Sequence, residues 1–247
     1  MRKFISPAWV RALLPCALGS GALFAPAAGV AAQTWGGSIG LTSDYLVRGI
    51  SRNTHEAAIQ ADLHVASDSG LLGGVFASTT RFNGDDTRDV EFEAFIGFAW
   101  AERGPWRTKI LASHYEYPWN GSGSQYNHDE LDLDVTYGEA LGVALSYSPN
   151  SPHSVDFVGL TGVPAKSVEI DWNTARRHDI TGSAGVGYSI IGGPGGAGYA
   201  YWSLGAAYDV EHWTLSVAYV GTNAAARYLY YDAAAHGRLM ATIICKF

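Results

Sequence analysis

The side chains with the most chemistry to offer are carboxylates spaced two apart. Glu91 and Glu93 alternate with Val90, Phe92 and Ala94, and Glu130, Asp132 and Asp134 alternate with Leu131, Leu133 and Val135. A spacing of two puts such groups on one face of a β-strand and the apolar residues on the other. The run between them, Trp106 to Tyr117, carries Arg107 and Lys109. A hairpin centred near Arg103 would pair Glu93 with Ser113 and Gly97 with Lys109, setting acids at one end and bases at the other. Asp44 and Arg48, four apart in an earlier alternating run, share a face, and Arg81 and Arg238 fall near the same rim. Two readings of the acids stay open. They line a wet passage that prefers cations, or they form a network of ion pairs that plugs an interior. For Asp44 and Arg48 the alternatives are a salt bridge between strands that fixes register and an anion-facing side of a pore.

The eight histidines do not make a metal site or an enzyme. None stands in the helical pair spacing of a zinc motif, and no cysteine cluster supports one. Ser113 adjoins His114, but neighbours on a strand point to opposite faces, which defeats direct proton transfer. Gly192 to Gly198 lacks the Lys-Ser/Thr ending of a phosphate loop. No cofactor is expected.

The elements that would position these charges are all strands. The residues after the first 32 parse into about twelve alternating runs. The first extends from about Thr34 to Gly49, with Trp35, Gly37, Ile39, Leu41, Tyr45 and Val47 on one face and Ser38, Thr42, Asp44 and Arg48 on the other. The last ends the chain, with Leu239, Ala241, Ile243, Cys245 and Phe247 forming one apolar face. Pro105, Pro118, Pro149, Pro152, Pro164 and Pro194 all fall between runs, where the missing N–H breaks no ladder. Connections alternate between short turns, such as 67–70 and 138–140, and mostly longer loops, such as 118–128, 149–165 and 222–237. That asymmetry marks a transmembrane barrel. Aromatics agree with it. Trp35, Trp100, Trp106, Trp172, Trp213, Tyr137 and Phe247 lie on the apolar face at the short-turn end. Tyr45, Tyr147, Tyr188, Trp202 and Tyr219 lie on it near the long loops. Rings of this kind favour a membrane–water boundary.

Residues 1–32 read as a signal peptide: Arg2, Lys3 and Arg11 precede an apolar stretch that ends in Val30-Ala31-Ala32. Its removal takes the net charge from −7 to −10, which argues against a nucleic-acid partner. Cys16 leaves with it, so Cys245 has no disulfide partner. The domain expectation is a leader over 1–32 and one barrel over 33–247.

Ser43-Asp44-Tyr45-Leu46-Val47-Arg48-Gly49-Ile50-Ser51 followed by Ala58-Ile59-Gln60 resembles the opening of the TorF-type porins, small Gram-negative outer-membrane proteins. The likeness continues through Gly74 to Ser78, Tyr199 to Gly205, Leu215 to Tyr219 and the terminal strand. Val47 stands where that family usually has an aromatic, Ala57 lies near a usual proline, and 149–177 fits least well. The resemblance implies location and a pore, and brings no substrate. The expectation is therefore an up-and-down antiparallel barrel of about twelve strands in the outer membrane. Outer-membrane lipid, lipopolysaccharide and the barrel assembly machinery would surround it, and small polar solutes or ions would pass through. A non-conducting barrel acting through its loops is the alternative, and an outer-membrane lipid hydrolase the third.

Overall fold

Twelve alternating runs pair edge to edge until the last meets the first. The computed structural model describes residues 34–81, 88–100, 102–119, 126–152, 162–192 and 196–247. The expected leader over 1–32 and His153 lie outside the described residues. In chain order the elements are β1 (Thr34–Thr42), β2 (Leu46–Val47), β3 (Ile50–Ser51), β4 (Ala58–Ala66), β5 (Leu71–Thr80) and β6 (Asp89–Ala99). Then come β7 (Trp106–Glu116), β8 (His128–Tyr137), β9 (Leu141–Ser151), β10 (Val163–Asn173) and β11 (Ile180–Ile191). The chain ends with β12 (Ala197–Val210), β13 (Trp213–Thr222), α1 (Ala224–Ala235) and β14 (Arg238–Lys246). All strands except β2 and β3 form one closed antiparallel barrel, each paired with its sequence neighbour and β14 with β1. Closure leaves no unpaired edge, which an open sheet must otherwise protect.

The alternation sorts the faces. Ile39, Ile96, Leu204, Val217 and Leu239 point outward and are exposed, while Ser78, Glu91, Glu93, Ser113, Ser148 and Ser203 point inward and are buried. The barrel is thus apolar outside and polar within, the inverse of a soluble fold. Trp35, Trp100, Trp106, Trp172, Trp213 and Phe247 are exposed on the outside at the short-turn end, and Tyr147, Tyr188, Trp202 and Tyr219 toward the other.

Several expectations need correction. The first strand stops at Thr42 rather than Gly49, and residues 43–57 turn into the barrel as the β2–β3 hairpin. Tyr45 and Val47 are therefore buried inside, not on the outer face, and Asp44 and Arg48 are not wall residues. The stretch 222–237, expected as a loop, contains α1, capped at its start by Asn223, whose side chain accepts from the Ala226 N–H. The β6–β7 hairpin is centred on the turn closed by Arg103 and Trp106, with Gly104 at φ +64°. Glu93 accordingly faces Tyr115, and Ala99 faces Lys109, one pair away from the expected register. A shift of two residues leaves every side chain on its expected face. Pro149 and Pro164 lie within β9 and β10, not between strands. A register shift between Val163 and Ala165 breaks the ladder there, which is where a sheet tolerates proline.

Candidate functional site

The polar interior divides into a packed mouth at the long-loop end and a column of charge beneath it. The mouth is built on the β2–β3 hairpin. Arg48 and Gly49 at its tip have φ of +50° and +78°, the two positive values that a two-residue hairpin turn of matching twist requires. A Cβ on Gly49 would come within 2.6 Å of Thr222 Cγ2 and 3.1 Å of Tyr201 Cβ, so the tip lies directly against β12 and β13.

Three sets of contacts hold the hairpin in. Ser51 Oγ donates to Asp44 Oδ1 at 2.7 Å, and Arg238 Nη1 donates to Asp44 Oδ2 at 2.6 Å. Arg238 also donates to the carbonyls of His236 at 2.8 Å and Ala234 at 3.0 Å. One guanidinium therefore satisfies the free carbonyls at the end of α1 and ties that helix to the hairpin. The second set centres on Glu91. Tyr45 OH donates to its Oε1 at 2.6 Å, and Tyr117 OH donates to Oε2. The third is apolar: Leu46 and Ile50 pack with Ala226, Leu229, Tyr201, Val220 and Met240. Desolvation raises the Asp44 pKa above its ordinary 3.8, against the lowering effects of Ser51 and Arg238. Burial opposes the charge on Arg48, and the Glu130 carboxylate beside it more than reverses that.

Beneath the mouth, Arg48 Nη2 reaches Glu130 Oε1 at 2.6 Å. The wall around it carries further carboxyl groups, each held by a hydroxyl. Ser113 Oγ donates to Glu93 at 2.7 Å, Ser146 Oγ to Asp132 at 2.5 Å, and Tyr201 OH to Glu169 at 3.1 Å. Tyr201 can lie across β11 because Gly187 has no side chain: a Cβ there would be 2.2 Å from its ring. Toward the short turns the column opens. Lys109 Nζ stands 3.2 Å from Asp134 Oδ2, with side chains 19% and 27% exposed, whereas Glu91 is 1% exposed. Arg107 at the rim pairs with Glu102 at 2.8 Å and donates to the Gly138 carbonyl at 3.2 Å.

The barrel brings together Glu91, Glu93, Glu130, Asp132, Asp134 and Lys109 along β6–β8. Asp44 and Arg48 each bridge to another strand, Asp44 to Arg238 of β14 and Arg48 to Glu130 of β8, so the expected salt bridges between strands are present, but they tie the infolded hairpin to the wall. Arg81 pairs with Glu56. Leu239, Ala241, Ile243 and Cys245 lie on β14, which pairs with β1 through Leu41↔Ile243 and Ile39↔Cys245. Among the described residues no group of His, Cys, Asp and Glu is arranged to hold a metal. Ser113 points inward to Glu93, while His114 points outward to Asp129 at 2.8 Å. Asp62 lies between Ser38 and His64, binding both.

Sequence reasoning missed five members of this site, among them Arg52, whose backbone N–H donates to the Tyr45 carbonyl across the hairpin at 2.7 Å. Glu169 and Asp171 share the two-residue spacing of the other acids and were legible by it. Tyr201 follows from the outward direction of Trp202. The inward path of Tyr45 and Arg52 had no such signal.

A family model described as a bacterial protein of unknown function (Gcw_chp) matches residues 26–244. Among curated proteins no sequence matches the chain. Of solved structures, a NanC porin is similar at 11% identity and a TM-score of 0.54, covering 87% of this chain and 99% of that one. A KdgM porin in complex with disordered oligogalacturonate is similar at 12% identity and a TM-score of 0.50, with the same coverage. At these identities the likeness is one of fold.

Proposed function

The chain belongs to the bacterial family Gcw_chp, described as of unknown function, and from its barrel we propose a porin-like outer-membrane channel for small polar solutes or ions. The observation that carries this reading is the charged column inside a closed barrel whose outside is apolar. A barrel that only needed filling would be filled more cheaply by apolar side chains, because buried ions lose hydration that pairing rarely restores in full. Glu91, Glu93, Glu130, Asp132, Asp134, Glu169 and Asp171 face Arg48, Arg52 and Lys109 within the column. Such an excess of acids calls for water or mobile cations. Acidic linings favour cations, so the column supports cation preference. A polymer of acidic sugars such as the oligogalacturonate of the KdgM complex suits this lining poorly.

In this reading the termini and short turns face the periplasm, the hairpin and α1 close the outer mouth, and lipid with lipopolysaccharide surrounds the apolar belt. The terminal strand would be the segment presented to the barrel assembly machinery. In this reading Ser113 serves as a partner of Glu93, and its neighbour His114 points outward to Asp129.

One observation favours a non-conducting barrel: the outer half of the interior is packed, with Tyr115 2% exposed and Tyr201 0%. Recordings in planar bilayers separate the two. A channel gives discrete steps and a reversal potential shifted toward that of potassium. Asp132→Asn with Asp134→Asn reduces that shift, because both lie in the column and neither holds the mouth. Silence from folded protein, with the hairpin both present and deleted, would sink the channel reading.

A further inference from the structure

The acids beneath the hairpin tip already have an occupant, and it belongs to the chain itself. Arg48 comes from the infolded mouth, not from the wall, and its guanidinium enters the space between β8 and β12. Glu130 takes it at 2.6 Å, and Asp132 and Glu169 lie close enough for their charge to act on it. One carboxylate thus holds the guanidinium, and two further carboxyl groups stand within range of its charge. Planar guanidinium suits such a setting, since it offers several donors in fixed directions to carboxylate oxygens.

A second observation points to a ligand. Ser148 stands on the inner face of β9, one residue beyond the Leu131↔Tyr147 pair and so level with Glu130. It is 2% exposed, and its Oγ has no hydrogen-bond partner among the described residues. Buried polar atoms are ordinarily satisfied. Here Ser148 Oγ, able both to donate and to accept, stands unused on the strand next to Glu130, the group that holds Arg48.

We propose that this pocket, formed by Glu130, Asp132, Glu169 and Ser148, is a recognition site for a small organic cation bearing a guanidinium or primary ammonium group, and that Arg48 is its tethered competitor. As a selectivity device it rests on the channel reading. The solute's cationic group displaces Arg48 from Glu130, and Arg48 in turn keeps the site from holding a cation too tightly to release it. A binding site in a channel must be strong enough to admit and weak enough to let go.

Agmatine, a guanidinium and an ammonium on one short chain, is the probe. Titration calorimetry with the refolded full-length barrel in detergent is expected to show saturable binding to Arg48→Gln, at least about tenfold weaker binding to the wild type, and none to Arg48→Gln with Glu130→Gln. A tenfold ratio corresponds to about 1.4 kcal/mol. Arg48→Lys, which keeps a cation in place, is expected to fall between the wild type and Arg48→Gln. Should Arg48→Gln not give the heat-modifiable band of a folded barrel, the comparison of Arg48→Lys with the wild type decides. Equal binding across the folded variants, or binding that survives loss of Glu130, overturns the proposal. Binding in solution does not depend on conductance. Silent bilayers with agmatine bound to Arg48→Gln would sink the channel and leave the pocket, and conducting bilayers without agmatine binding would do the reverse.

Discussion

At the scale of the residue, the mouth depends on a few donors that meet buried carboxylates. Glu91 is 1% exposed and receives Tyr45 and Tyr117, one on each oxygen. A hydrogen bond to a charged group contributes about 1.5–3 kcal/mol, and an acceptor stranded out of water forfeits it. Tyr45→Phe is therefore expected to lower the unfolding free energy by about 1.5–3 kcal/mol, read as a shift in the urea midpoint of the purified barrel. In a double-mutant cycle with Glu91→Gln the two losses should fail to add, because each substitution removes the same bond. Additive losses would mean that the Tyr45 hydroxyl stabilises through something other than Glu91, because phenylalanine keeps the ring packing with Phe76 (centroids 6.2 Å apart). Arg238 carries a different expectation. It bridges Asp44 and the last carbonyls of α1, so Arg238→Gln should loosen hairpin and helix together. Limited proteolysis checks this: faster cleavage is expected within both 43–57 and 223–237, and cleavage confined to one of them would refute the coupling.

At the scale of the element, the barrel strands were legible and the mouth was not. Each wall strand alternates because one face meets an apolar surround and the other a polar interior, so period and environment agree. The column acids were legible for the same reason: a two-residue spacing fixes their face whatever the register. The hairpin defeats this logic. Tyr45, Val47 and Arg48 continue the alternation of β1, yet the chain leaves the wall after Thr42, where Thr42 Oγ1 donates to the Asp44 carbonyl at 2.7 Å. Only Gly49 hinted at a turn, and the positive φ of Arg48 has no signature in sequence. Likewise α1 lay hidden in a stretch of alanines whose helix preference competes with tertiary packing, although Asn223 is a serviceable cap. The hairpin's tip gives the test of its role. Alanine at position 49 would sit in the left-handed region, at about 1–2 kcal/mol, and would press on Thr222 Cγ2 from 2.6 Å. Gly49→Ala is thus expected to lift the tip and raise single-channel conductance, while heat modifiability shows an intact barrel. Unchanged conductance would mean that the tip does not set the narrowest point.

At the scale of the whole molecule, everything above depends on closure between the two ends of the described chain. The seam is narrow. β1 pairs with β4 along its full length, from Thr34↔Ala66 to Thr42↔Ala58, but with β14 only from Ser38↔Lys246 to Thr42↔Thr242. Phe247 extends that seam. Its N–H donates to the Gly37 carbonyl at 3.0 Å, and its carbonyl accepts the Gly37 N–H at 3.1 Å. Its ring also lies over Gly37, where a Cβ would approach to 2.8 Å, so a glycine there leaves the ring its place. Deleting Phe247 removes both backbone bonds, a loss of about 1–3 kcal/mol, and exposes one more unpaired edge position on β1. The wall elsewhere is untouched. The expected result is therefore a closure defect: export unimpaired, less heat-modifiable barrel in the membrane fraction, and faster unfolding of the barrel that does form. Phe247→Ala tests the ring separately, because it keeps the backbone pairing but removes the aromatic side chain. If Phe247→Ala weakens assembly as much as the deletion, the ring carries the effect. If only the deletion does, the two backbone bonds at the seam carry it. Normal assembly in both would place the determinant of closure elsewhere on β14.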